Sequence, residues 1–364
     1  MNIEKKEFEK YISKLFNGVE KPLYGTIEIT NYCPYNCVHC FETDDRAKSY
    51  WRKEKIIKLI DDIVKEEGLA IVLSGGEPLL HPDFKEIYIH AKQKGLVVTV
   101  YSNLYYISDE IIELFKEYPV SSVSTSCYGF SKETYEMVTH KKGSYQAFFQ
   151  NIKRLQENNI PIDVKYMVIQ ENYKELMAAK AFFKGKGIPF IYSYSLRAMD
   201  SGNTNNLIHQ LTPDQVVKLE LKDEMRTQYW KNRYYSIDKD DERYIKWKNR
   251  CKYLCPIGVK GYYISANGMF YLCSSERKYG YDLNTGTFRE AWNNFRKKVI
   301  NEKPEKELRC WNCDLFMLCN PCVGDNYLVN RDEYEPDKYS CQVAALRKKF
   351  IIDKSTFPAD KSRD

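Results

Sequence analysis

The residues in this chain best able to do chemistry are its cysteines. There are 12, and 11 of them fall in three groups: Cys33, Cys37 and Cys40; Cys251, Cys255 and Cys273; and Cys310, Cys313, Cys319, Cys322 and Cys341. Cys127 stands alone and reads as a small core residue. No run approaches the ~18 apolar residues of a membrane span. The charged start, Met1-Asn2-Ile3-Glu4-Lys5-Lys6, lacks the apolar stretch of a secretory signal. The expectation is a cytoplasmic protein. Structural disulfides are rare in that compartment, so clustered cysteines point to metal or redox chemistry.

Cys33-Pro-Tyr-Asn-Cys37-Val-His-Cys40 puts three thiols within eight residues. Three thiolates leave one iron of a four-iron cluster without a protein ligand, and an open iron can bind a substrate or cofactor. The alternative is a structural zinc, which needs a fourth ligand such as His39. Crowding Cys37, His39 and Cys40 onto one tetrahedron is awkward. The eight downstream thiols suffice for two four-cysteine clusters, or for two structural zincs.

These groups need elements to hold them. Residues 3–16 read as a short amphipathic helix. Candidate strands at 25–30, 70–74, 97–102, 121–126, 163–169 and 190–195 alternate with helical runs near 52–67, 82–94, 108–117, 131–138, 145–158 and 174–185. Repeated βα order implies a parallel sheet with helices outside. Six units fall short of the complete eightfold barrel, so the fold class is α/β, a partial (β/α)6 barrel. The first cysteines follow the first strand, at the mouth where the active sites of such sheets collect. Thr212, Pro213 and Gln215 predict a capped helix start. Past about residue 230 the periodicity fades into cysteines, aromatics and turns, which suggests a segment shaped by metal ligation more than by an apolar core. The expected domains are an N-terminal extension 1–21, the barrel 22–210, a linking helical region 211–250 and a cysteine-rich domain 251–364.

Cys33-x3-Cys37-x2-Cys40 resembles the signature of the radical S-adenosylmethionine superfamily. That resemblance implies that the cofactor's amino acid part chelates the open iron and that electron transfer yields a 5′-deoxyadenosyl radical. Further motifs extend it. Ser74-Gly75-Gly76-Glu77-Pro78 looks like the turn that holds the cofactor's amino group, with Gly75 and Gly76 allowing backbone approach and Glu77 offering a carboxylate. Ser102-Asn103 stands where relatives have Thr-Asn-Gly, with Leu104 replacing the glycine. Ser126-Cys127-Tyr128-Gly129 looks like the segment whose serine touches the cofactor. His39 stands where an aromatic residue lies near adenine and is assigned packing and backbone contact. Lys165, followed by Asn172, has two readings: a carboxylate contact and a solvent-facing lysine.

The downstream cysteines resemble a SPASM domain, the iron–sulfur module of many peptide-modifying radical enzymes. By that resemblance Cys251, Cys255, Cys273 and Cys322 hold a nearer auxiliary [4Fe–4S] cluster, and Cys310, Cys313, Cys319 and Cys341 an outer one. The cofactors implied are S-adenosylmethionine and three [4Fe–4S] clusters. Ser274 stands where sulfatase maturases carry a catalytic Asp, which disfavours that activity. The Ser126–Gly129 segment and the Arg197-x4-Gly202 loop look more like maturases of ribosomally made peptides. The expected activity is hydrogen abstraction from a peptide residue followed by a thioether or carbon–carbon crosslink. The alternatives are sulfatase-maturase-like oxidation, a radical reaction on RNA or a small molecule, and a zinc scaffold without activity. The expected partners are a peptide or protein substrate and a flavodoxin- or ferredoxin-type electron donor; the stretch before the first strand is short for a recognition domain, which leaves two readings, a separate peptide-recognition protein and direct binding of the leader by the core.

No catalytic acid or base stands out; Glu276, Asp325 and Tyr271 are merely near cluster cysteines in sequence. The 364 residues are 43% hydrophobic and 29% charged, a globular balance, and the net charge of +6 fits a solvated lysine-rich surface. Nothing beyond that charge points to nucleic acid.

Overall fold

The computed structural model describes residues 19–42, 50–235, 242–355 and 357. The helix expected at 3–16 lies outside the described residues. Among the described residues, no helix is long and apolar enough to cross a membrane.

Six parallel strands carry the first half: β1 (Tyr24–Thr30), β2 (Ala70–Gly75), β3 (Val97–Tyr101), β4 (Ser122–Ser126), β5 (Ile162–Met167) and β6 (Phe190–Ser193). They pair in sequence order and parallel throughout, with one register shift between Glu28 and Thr30 where β1 meets β2. Helices α1 (Lys53–Lys65), α2 (Phe84–Gln93), α3 (Asp109–Glu117), α4 (Lys132–Thr139), α5 (Ser144–Glu157) and α6 (Leu176–Gly185) connect them. The partial α/β barrel read from the sequence is the observed architecture. Helix α1 shows why: Ile56, Leu59, Ile60 and Ile63 recur at helical spacing and are buried on the sheet. Each such side chain contributes about 1.5–3 kcal/mol of burial. Strand β5 ends at Met167, short of the expected Ile169, because Asn172 turns the chain. Its Oδ1 accepts from Ile169 N at 2.9 Å and its Nδ2 donates to Met167 O at 2.9 Å and Tyr128 O at 3.0 Å.

Past β6 the chain forms α7 (Pro213–Lys222), with the expected Thr212–Gln215 capping box, then α8 (Glu224–Tyr235) and α9 (Glu242–Lys248). Here the expectation of fading structure is corrected. Strand β7 (Gly261–Ile264) pairs parallel with β1, and β8 (Met269–Tyr271) and β9 (Tyr281–Asp282) follow antiparallel, giving a nine-stranded sheet. Helices α10 (Val323–Asn330) and α11 (Lys338–Arg347) close the chain. Tyr262, Ile264, Phe270, Trp292 and Phe350 join the same buried cluster as the barrel residues. Apolar burial, not ligation alone, shapes this half. Short strands hid it, because two to four residues are too few to show a period.

Candidate active site

The turn after β2 abuts the segment that leads from β1 to Cys33. Gly76 N donates to Thr30 O at 2.9 Å and Glu77 N to Tyr32 O at 2.8 Å. Two glycines make this approach feasible. Gly75 has φ +136°, and a Cβ there would lie 2.0 Å from Thr30 O; one on Gly76 would lie 2.4 Å from Tyr32 O. The Glu77 carboxylate turns inward. Oε1 accepts from Leu79 N at 3.1 Å and Oε2 from Asn103 N at 2.7 Å. Glu77 thus accepts from two backbone amides and ties the β2 and β3 exits together. Burial pushes its carboxyl up to about 7 against those bonds.

Asn103 also faces the cysteine loop, its Nδ2 donating to Cys33 Sγ at 3.7 Å. Ser102 Oγ accepts from Leu104 N at 3.0 Å, giving the replaced glycine position a positive φ of 59°. A cavity of about 780 Å3 opens at this mouth of the barrel. Gly75, Gly76, Ser102, Asn103, Ser126 and Lys165 all line it; Glu77 and His39 do not. Lys165 points into the cavity, its Nζ 3.5 Å from the Tyr101 ring centroid. His39 packs 5.7 Å from the Tyr128 ring, and burial holds its imidazole down to about 4. Cys127 is fully buried, as expected, with Sγ donating to Gly129 O.

The far wall of the same cavity comes from the second half, through Cys255, Tyr263, Cys273 and Ser274. Behind it, a second cavity of about 320 Å3 is lined by Cys255, Cys273, Cys322, Cys310 and Asp325. The thiols act on one another electrostatically in two sets. Burial and then Cys255 push Cys273 up to about 11, and Cys322 rises under burial, Asp325, Cys273 and Cys255. Burial, then Cys319, Cys341 and Cys313, push Cys310 up to about 12. Among the described residues, no three Cys, His, Asp or Glu side chains meet on a single metal-ion position. A lone zinc needs its ligands about 2.0–2.3 Å from one point, whereas an iron–sulfur cluster takes its thiolates at separate irons. Thiols are the donor type that both kinds of site accept.

Sequence reasoning missed the charged seam between these walls. Glu28, buried on β1, accepts from Tyr263 OH and from Ala266 N. Glu42 hydrogen-bonds to Glu28 and is pushed up to about 9 by burial and then by the Glu28 charge. Arg277 lies 4.5 Å from the rings of both Tyr263 and Tyr271 and pairs with Asp200 at 3.0 Å. Arg197 pairs with Asp200 at 2.8 Å, donates to Ser274 O, and lies 4.1 Å from the Phe41 ring. A carboxylate at an inward position of a buried strand, as at Glu28, was the available signal. Glu276 is buried and taken by Tyr253 OH and Lys278 N, both at 3.0 Å, which gives it a structural place.

Residues 27–183 match the Radical SAM superfamily. That segment is a radical SAM domain, and the chain is an enzyme. Its cofactors are those of the family, S-adenosylmethionine and a [4Fe–4S] cluster. This radical SAM chain is 23% identical over 335 residues to the AdoMet-dependent heme synthase of Methanosarcina barkeri, covering 86% of this chain and 94% of that protein. It is 26% identical over 258 residues to the sporulation killing factor maturation protein SkfB of Bacillus subtilis, covering 70% of this chain and 61% of that one. Its fold resembles Streptococcus suis SuiB in complex with precursor peptide SuiA, with a TM-score of 0.66 at 15% identity, over 92% of this chain and 80% of SuiB.

Proposed function

We propose that this enzyme modifies a ribosomally made peptide, abstracting hydrogen from one residue and installing a thioether or carbon–carbon crosslink. Cys33, Cys37 and Cys40 hold the radical cluster. Gly75, Gly76, Ser102, Asn103, Ser126 and Lys165 hold S-adenosylmethionine, with His39 packing at the Tyr128 side. One observation carries the reading: a single cavity runs from the glycine turn beside the Cys33 loop to Cys273 and Ser274. When bound, the reduced cluster and S-adenosylmethionine supply a 5′-deoxyadenosyl radical. This chain's residues do the rest. The Lys165 ammonium offers a charge for the cofactor's carboxylate, and the glycines leave room at the turn. Glu77 holds the two loops in place through its two backbone amides and keeps acceptor capacity for the cofactor's amino group.

Cys255, Cys273 and Cys322, with Cys251 as the fourth ligand, form an inner auxiliary site. Cys310, Cys313, Cys319 and Cys341 form an outer one. Their task is to take the electron left on the substrate after hydrogen abstraction. The likeness to SkfB and to a SuiB–peptide complex supports the peptide class. A flavodoxin- or ferredoxin-type donor supplies the electrons.

A second reading has its own support, since the heme synthase relative is matched over 94% of its length. It makes the substrate an iron tetrapyrrole. Anaerobically purified protein decides between them. Incubation with S-adenosylmethionine, reductant and candidate precursor peptides should give peptide-dependent 5′-deoxyadenosine and a mass loss of two hydrogens. Turnover of an iron tetrapyrrole and of no peptide would overturn the peptide reading.

A further inference from the structure

The Cys33–Cys40 loop rests on the end of α4: Asn36 N donates to Thr139 O and Val38 N to Val138 O, both at 3.0 Å. The next residues of the chain, His140, Lys141 and Lys142, therefore stand beside the loop. His140 shares with Cys37 and Cys40 the lining of a separate cavity of about 530 Å3. Neither lysine has a carboxylate partner among the described residues. Lys142 is exposed, and Lys141 sets its Nζ 5.2 Å from the centre of the Tyr105 ring.

Tyr105 joins this basic turn to the thiols in two ways. Its ring stands edge-on to Tyr35, which lies between Cys33 and Cys37 in the chain, with centroids 5.6 Å apart. Its backbone N donates to Asn103 Oδ1 at 2.8 Å, and Asn103 Nδ2 donates to Cys33 Sγ at 3.7 Å. On the outer side Tyr105 meets Tyr106 at 4.6 Å between centroids, and Tyr106 is 45% exposed. A packed and hydrogen-bonded route thus runs from the surface to the first thiol. Tunnelling electrons favour such bonded, packed media over gaps.

We infer that Tyr106, Lys141 and Lys142 form the docking surface for an acidic, flavin-bearing electron carrier of the flavodoxin type, with Tyr105 as the medium that leads its electron to the cluster on Cys33, Cys37 and Cys40. This rests on the reading above that such a carrier supplies the electrons, and adds where it binds. The surface chemistry selects the partner. An open tyrosine ring suits the apolar edge of a flavin, and the two unanswered lysines suit carboxylates around that edge. Redox encounters bury little area, so charge complementarity governs how fast they form. The step moves one electron. The carrier's anionic flavin hydroquinone gives it up and keeps its proton, the oxidised cluster takes it up, and no covalent bond changes. The tyrosines stay in their ordinary redox state.

The probe is purified flavodoxin. A ferredoxin and photoreduced 5-deazariboflavin, a small neutral reductant, serve for comparison. Iron-loaded enzyme is first titrated with oxidised flavodoxin by calorimetry. It is then mixed with each reduced carrier and S-adenosylmethionine, and 5′-deoxyadenosine is measured. Wild-type enzyme should bind flavodoxin with an affinity that falls as salt rises. Lys141→Glu with Lys142→Glu should weaken that binding and slow flavodoxin-driven turnover about tenfold at low salt, while the deazaflavin-driven rate stays the same. Tyr105→Leu keeps the backbone bond to Asn103 and loses the ring; it should leave binding intact and slow the flavodoxin-driven rate at saturation. Flavodoxin binding and turnover undiminished in the double lysine variant, or turnover driven by ferredoxin and not by flavodoxin, would overturn the docking surface. An unchanged rate in Tyr105→Leu would remove the tyrosine from the route. Enzyme that deazaflavin drives and neither protein carrier drives would instead refute the reading of the donor, which keeps the two failures distinct.

Discussion

Asn103 reaches Cys33: its Nδ2 donates to the Cys33 sulfur at 3.7 Å, while its backbone N donates to Glu77 at 2.7 Å. The exits of β2 and β3 are thereby tied to the first thiol of the Cys33–Cys40 loop. Hydrogen bonds to sulfur ligands help set cluster potentials. Asn103→Ala should make the radical cluster harder to reduce, shifting its midpoint negative in an EPR-monitored redox titration. An unchanged midpoint would remove Asn103 from the sulfur's environment.

Gly76 sits against the carbonyls of Asn31 and Tyr32, 2.6 and 2.4 Å from where a Cβ would stand. Neither neighbour can yield without moving the chain that leads into Cys33. Gly76→Ala should cost about 1–3 kcal/mol of stability and lower iron retention by the first cluster. Urea unfolding and iron analysis of the purified protein check both effects.

The Glu77 carboxyl is pushed up to about 7 by burial, from an ordinary 4.5. Between those pH values the unfolded chain releases this proton and the folded chain retains it. Its contribution to stability is therefore complete below pH 4.5 and lost as pH rises through 7. The span corresponds to about 3 kcal/mol. Glu77→Gln should flatten that part of the profile, measured as urea midpoints of metal-free protein at the two ends of the window. A wild-type slope that persists in the variant would assign the effect to other groups.

Arg347 on α11 meets Glu220 on α7 in a buried two-point pair, with Nε and Nη2 each 2.9 Å from a carboxylate oxygen. Tyr194 OH and Trp230 Nε1 also donate to that carboxylate. Arg347→Met alone strands a buried charge and should cost about 3–5 kcal/mol. Adding Glu220→Leu should recover most of the loss. The comparison is of unfolding free energies for single and double variants.

The two downstream cysteine sets predict separate metal loss. Wild-type protein should carry about twelve irons per chain if three four-iron clusters fill. Cys310→Ala with Cys313→Ala should remove about four of them and leave S-adenosylmethionine cleavage measurable as 5′-deoxyadenosine. A loss of all iron would show that the sets do not fold independently.

The cysteine spacing and the βα order are legible from local pattern alone. Cys33, Cys37 and Cys40 lie within eight residues, so bringing them together needs no distant contact, and Gly75-Gly76 stands at the end of a strand. The tertiary structure alone decided what lies around them. Whether Glu77 meets two backbone amides depends on how closely β3 approaches, which no local pattern encodes. That β7 extends the barrel sheet depends on pairing with β1 across more than two hundred residues. The junction of Arg197, Ser274 and Asp325 brings three distant segments together. Each is polar and unremarkable in sequence, and only tertiary packing brings them together.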